Sequence, residues 1–213
     1  MSNMDNILDV MESSIRDEYN SFEEYFEKSL LTENRMELLY ESGCRKLIFG
    51  LESYNQRVLD SMKKGVELEV IDRIVEECVR IGIGMHFYLI TGFPTETPAE
   101  ARESVDFVIN NQRILDSPGF SCIISQFDLE KGTPLENNPS EWGITELYTP
   151  PDHDLSLGYS YKIDTGMDSD EAEVLYRELQ EKINEKVSTF PDNYSLSDGL
   201  LYLGHPQEEL TTR

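Results

Sequence analysis

The sequence predicts an α/β fold with parallel strands, on three observations. Three short apolar runs, 46–51, 85–91 and 120–127, have the length and continuity of buried strands. Helix signals with their own start and stop residues separate each run from the next. A helix between consecutive strands returns the chain to the end where it began, so the strands run parallel, in an α/β sheet or part of a barrel.

Ahead of the first run, Met4, Ile7, Leu8, Met11 and Ile15 recur at helical spacing. Ser21 with Glu24 forms a capping-box pattern before Phe22, Tyr25, Phe26 and Leu30, so an acidic helical pair is expected at the N-terminus. Met36, Leu39 and Tyr40 suggest a third short helix, stopped by Gly43. After the first strand, Ser53 with Gln56 reads as a capping box opening a helix through Val58, Leu59 and Met62 that ends before Gly65. Ile71, Ile74, Val75, Cys78 and Ile81 make the apolar face of the next helix, terminated by Gly82. The second strand closes at Gly92-Phe93-Pro94, and Thr97-Pro98-Ala99-Glu100 combines an N-cap, a proline at the first helical position and a capping-box glutamate. That helix runs through Ala101, Val105 and Val108 to the third strand, which ends near Gln126 and Asp128. Beyond Gly132-Thr133-Pro134 the chain reads as an irregular extension over the core, followed by one helix. Asp168 and Glu171 cap that helix, and Ala172, Leu175, Tyr176, Leu179 and Ile183 form its stripe.

Charge narrows the function. With 18 Lys+Arg against 42 Asp+Glu the formal charge is −24, which sets the chain against nucleic acid and anionic membrane as partners. This acidity fits either a solvated surface or attraction to a basic partner. The sequence lacks a long apolar span and a basic leader, so it reads as cytoplasmic. Cys44, Cys78 and Cys122 stand 34 and 44 residues apart in apolar runs, which reads as three buried, reduced thiols. Neither they nor His86, His153 and His205 have metal-ligand spacing, so no metal ligand is assigned.

Ligands of parallel α/β sheets bind at the carboxyl ends of the strands. Glu52 and Ser53 end the first strand and residues 91–97 end the second, where Gly92 lets the backbone come close and Pro94 stiffens the turn. A carboxylate ending a buried strand requires a partner or solvent, which favours Glu52. Ser53 is equally explained as a cap, His86 as a satisfied interior histidine, and Glu96 as a charge favouring the next helix's positive end. Alternation puts His86, Tyr88 and Ile90 on one face.

The ordered set Gly43 to Ser53, Gln56-Arg57-Val58-Leu59, Lys64-Gly65, Gly82-Ile83 and Gly92-Phe93-Pro94-Thr95-Glu96-Thr97 resembles the radical S-adenosylmethionine superfamily, over residues 43 to about 134. The resemblance leans toward its cobalamin-binding-domain branch and methylthiotransferase-like cores, with weaker similarity at Leu200 to Leu203. It implies a half barrel of three βα units over 43–132, between an acidic helical segment, 1–42, and the extension, 133–213. It also implies that Glu52 and Ser53 contact the ribose or methionine moiety of S-adenosylmethionine. Tyr88, Ile90 and Gly92 would lie beside the adenine, with Tyr88 where glycine is usual, and Gln126 at the third strand's end.

The family's [4Fe–4S] cluster is held by Cys-x3-Cys-x2-Cys, a triad this sequence lacks, and converging thiolates are what a cluster requires. The cluster is therefore not expected to be ligated by this chain, and no catalytic residue is assigned. Cobalamin, if used, belongs to an upstream domain of the intact family. The expected function is the C-terminal portion of a radical S-adenosylmethionine enzyme, supplying part of the cofactor wall and inactive alone. Its expected partner is a missing N-terminal barrel half or another chain covering the open sheet edge. The alternatives are a non-catalytic acidic interaction module, or an unrelated α/β barrel enzyme using Glu52 as acid or base.

Overall fold

A computed structural model describes residues 34–149 and 158–187. The expected N-terminal helical pair, the Leu200 to Leu203 similarity and His153 and His205 lie outside the described residues. The order is α1 (Arg35–Glu41), β1 (Lys46–Glu52), α2 (Gln56–Ser61), α3 (Leu68–Ile81), β2 (Gly84–Thr91), α4 (Pro98–Ile109), α5 (Gln112–Leu115) and β3 (Ser121–Gln126). There follow β4 (Leu129–Glu130), α6 (Pro134–Asn137), a 3-10 turn (Pro139–Trp142), β5 (Ile144–Tyr148), β6 (Gly158–Ile163) and α7 (Ser169–Lys186). None of the described helices is long and apolar enough to cross a membrane.

The three expected strands form one parallel sheet in the order β1-β2-β3, with Lys46 opposite Gly84 and His86 opposite Ser121. One face carries Phe49, Leu51, Met85, Phe87, Leu89, Cys122 and Ile124, which pack with the apolar sides of α3, α4 and α7 into a single core. The other face carries Ile48, Tyr88 and Ile123, which are 66%, 42% and 40% exposed. Helix α7 packs on β3 and α4.

The helix ends follow local chemistry. Thr97 and Glu100 close a reciprocal capping box at α4, as do Asp168 and Glu171 at α7. The N-cap of α2, however, is Asn55, whose side chain accepts from the Val58 N–H, so the expected Ser53 capping box is corrected. Ser53 is instead fully buried, its Oγ 3.1 Å from Ser104 Oγ, and the Tyr54 N–H also bonds Ser104 Oγ at 2.8 Å. Ser104→Ala strands these polar groups together and is expected to cost about 1–3 kcal/mol in urea denaturation.

The extension is also corrected. Between β3 and α7 it is not wholly irregular: β4, β6 and β5 form an antiparallel sheet with its own small core of Leu129, Ile144 and Tyr161. Its Pro, Asn and Asp content masked short strands whose pairing lies across a loop. Cys44 is half-exposed, not buried as expected, while Cys78 and Cys122 are buried.

Candidate functional site

The carboxyl ends of β1 and β2 are held by different devices. The β1–β2 register shifts between Phe49 and Glu52, and Glu52 stands at φ 58, a left-handed conformation uncommon for a non-glycine residue. This returns the carboxylate over Gly50, where a Cβ would come 2.7 Å from Glu52 Oε1. Lys64 Nζ, from the turn after α2, approaches the same oxygen at 3.1 Å, and the two side chains are only 15% and 25% exposed.

The turn after β2 is clamped from several sides. Inside it, Glu96 is fully buried and its Oε2 accepts from the Gly92 N–H at 2.7 Å, while Oε1 has no partner among the described residues. Burial raises the Glu96 carboxyl to about 7, and the negative charge of Glu100 adds to this. Arg57 forks onto Glu100 with two 2.6 Å bonds and also donates to Thr95 O at 2.9 Å. That fork is the largest cause holding Glu100 down to about 2. From the extension, the Tyr161 hydroxyl donates to Gly92 O and the Met167 N–H to Glu96 O.

Above this turn lies an aromatic group. Phe93 packs edge-on against Phe127 at 5.1 Å and against Trp142 at 5.7 Å between ring centroids. The other side of the story is Lys63, whose Nζ lies 5.5 Å from the centre of the Trp142 ring. The antiparallel insertion thus reaches back to the turn after α2.

At the opposite, amino end of the sheet, Lys46 Nζ donates to Gly119 O at 2.7 Å and to Ser121 Oγ at 2.8 Å. The Ser121 hydroxyl also lies 2.6 Å from His86 Nδ1, within hydrogen-bond distance. Burial first, then the charge of Lys46, lowers His86 to about 4, so it is neutral at physiological pH. It is the satisfied histidine the sequence suggests.

The structure brings together only some of the sequence-predicted residues. Tyr88 and Ile90 share the open face with His86, as alternation requires, and Glu52 stands at its carboxyl end. Ser53 is used in the core, and Gly92 is buried against α7, where a Cβ would meet Ala172 Cβ at 2.5 Å. Gln126 donates to Ser169 O at the start of α7. Sequence reasoning passed over Lys63, Lys64 and Trp142 as site residues. Two signals were present: a single tryptophan, and a lysine preceding Gly65 where the helix must end.

The cysteines do not fit an iron–sulfur cluster. Burial pushes the Cys78 and Cys122 thiols up to about 12, away from the thiolate form a cluster requires. Cys78 lies in α3 and Cys122 on the core face of β3, both away from the carboxyl ends, and no metal-ligating group of three stands among the described residues. The carboxyl end does fit an S-adenosyl group in one respect: Glu52 offers a carboxylate suited to hydroxyls or an ammonium.

Comparison with known proteins gives two findings. The family described as the radical SAM superfamily matches residues 9–108. A bacteriochlorophyllide d C-12(1)-methyltransferase of Chlorobaculum tepidum is 31% identical over 88 residues, which span 41% of this chain and 19% of that protein. The matched stretch is thus about a fifth of the relative's length.

Proposed function

We propose, for a chain that belongs to the radical S-adenosylmethionine superfamily through residues 9–108, that it is a portion of such an enzyme contributing part of the S-adenosylmethionine-binding wall. The observation that carries this reading is Glu52: a carboxylate on a left-handed residue at the carboxyl end of the first parallel strand, beside the open face bearing Tyr88 and Ile90. In this reading Glu52 accepts from the ribose hydroxyls or the ammonium of the ligand, and Ile90 and Tyr88 supply apolar surface for its base. The ligand supplies the sulfonium that the family's chemistry cleaves. No step is assigned to a cluster, because the cysteines present do not suit one. The reaction of the intact enzyme is proposed as group transfer, in keeping with the relative named as a methyltransferase. The three βα units are proposed as half of a barrel.

Calorimetric titration with S-adenosylmethionine tests the reading. Binding in the micromolar range is expected, with Glu52→Ala weakening it at least tenfold, about 1.4 kcal/mol or more, the scale of a charge-assisted hydrogen bond. Equal binding by the variant would remove Glu52 from the site.

One observation favours a second reading, an interaction module. Parallel sheets are ordinarily covered on both faces, yet Ile48, Tyr88 and Ile123 make an exposed apolar stripe across all three strands. A complementary barrel half, or another chain, is the proposed cover. Absence of S-adenosylmethionine binding, together with a partner whose capture Ile48→Asp abolishes, would favour this module over the cofactor wall.

A further inference from the structure

We propose that the adjacent lysines Lys63 and Lys64 form a latch that occupies the carboxyl-end site and must be released when ligand enters; this rests on the cofactor reading above. Two neighbouring cations on one turn hold two groups from distant parts of the chain. Lys64 Nζ is 3.1 Å from Glu52 Oε1 at the end of β1, and Lys63 Nζ is 5.5 Å from the centre of the Trp142 ring in the insertion.

The turn is built against its own local preference. Helix α2 ends in a Schellman pattern, with the Lys63 N–H on Asp60 O at 3.0 Å and the Lys64 N–H on Leu59 O at 3.1 Å. The position after the C-cap Met62 is normally glycine because it is left-handed, and Lys63 occupies it at φ 57. A residue that breaks a local rule is expected where a side chain is needed, and here that side chain covers Trp142. Gly50 completes the arrangement: its missing side chain leaves the space into which the Glu52 carboxylate folds to reach Lys64.

An S-adenosyl ligand competes with both contacts. Its ammonium seeks the Glu52 carboxylate held by Lys64, and its sulfonium, a second cation, seeks the Trp142 face covered by Lys63, while the base lies on Ile90 and Tyr88. Ligand binding and lysine release are therefore linked, and the lysines are positioning residues that set the apparent affinity.

Trp142 is the single tryptophan of the chain, so its fluorescence reports the latch directly. In the full chain without ligand, Lys63→Gly, which suits the backbone, is expected to increase quenching of Trp142 by acrylamide. In calorimetry with S-adenosylmethionine, Lys64→Met is expected to tighten binding on the order of threefold to fivefold, the scale of a partly exposed ion pair, and Lys64→Arg to restore the parent affinity. Unchanged quenching in Lys63→Gly, or parent-like or weaker binding by Lys64→Met, overturns the latch while leaving the cofactor reading intact. Absence of binding by parent and variants alike overturns the cofactor reading and with it the ligand-gated role, a result distinct from either of those.

Discussion

Raising the pH from about 4.5 to about 7 is expected to weaken the fold by roughly 3 kcal/mol through Glu96 alone, and Glu96→Gln is expected to remove that contribution. The buried carboxyl has a folded pKa raised from 4.5 to about 7, so the native state keeps a proton that the unfolded chain gives up across this interval. More protons bound in the native than in the unfolded state means that stability falls as pH rises through the window, then levels off. The cause is local: burial outweighs what the Gly92 and Phe93 N–H groups and Arg57 contribute toward the ionised form, and Glu100 adds repulsion. Tyr161 faces the same carboxyl and stays a neutral phenol, since burial, then Glu96 and Asp168, raise its pKa. Glu100, held near 2, works in the opposite sense at more acid pH, losing its contribution as pH falls. Urea denaturation of parent and Glu96→Gln at pH 4.5, 6 and 8 isolates the Glu96 term as the difference between the two. A difference that stays flat across these pH values would show that the folded state does not raise the Glu96 pKa.

Gly92→Ala is expected to destabilise by roughly 2–5 kcal/mol, combining overpacking with the left-handed backbone penalty. Gly92 stands at φ 85, and an added Cβ would lie 2.5 Å from Ala172 Cβ on α7. The glycine thus serves the seating of α7 against the turn after β2. Ala172→Gly in the Gly92→Ala background removes the opposing methyl and is expected to recover the steric share but not the backbone share. A double-mutant cycle by denaturation measures this coupling. No rescue would mean the glycine is required by something other than α7.

Much of the fold was legible in the sequence because its signals are short-range. The Thr97-Pro98-Ala99-Glu100 start of α4, the Asp168 and Glu171 cap of α7 and the three apolar runs each declare themselves within a few residues. The same local logic misread Ser53, because Asn55 two residues on is an equally good cap and only the position of Ser104 explains why Ser53 turns inward. The antiparallel insertion was missed because β4 is only two residues long and pairs with β6 across the intervening β5. Of the candidate site, Glu52, Tyr88 and Ile90 could be located from strand ends and alternation.

The sequence by itself determined the three parallel strands, the helix starts at Thr97 and Asp168, the acidity and the absence of a Cys-x3-Cys-x2-Cys triad, since each follows from neighbouring residue types or from simple counting. Only the tertiary structure decided that Lys63 and Lys64 hold Trp142 and Glu52, that Tyr161 bonds Gly92 O 69 residues away, and that Glu96 is sealed with one oxygen lacking a partner among the described residues. The physical reason is range. Capping and periodicity act over one or two helical turns, whereas ion pairs, buried carboxyls and glycine contacts depend on which distant segments the packed core brings within a few ångströms.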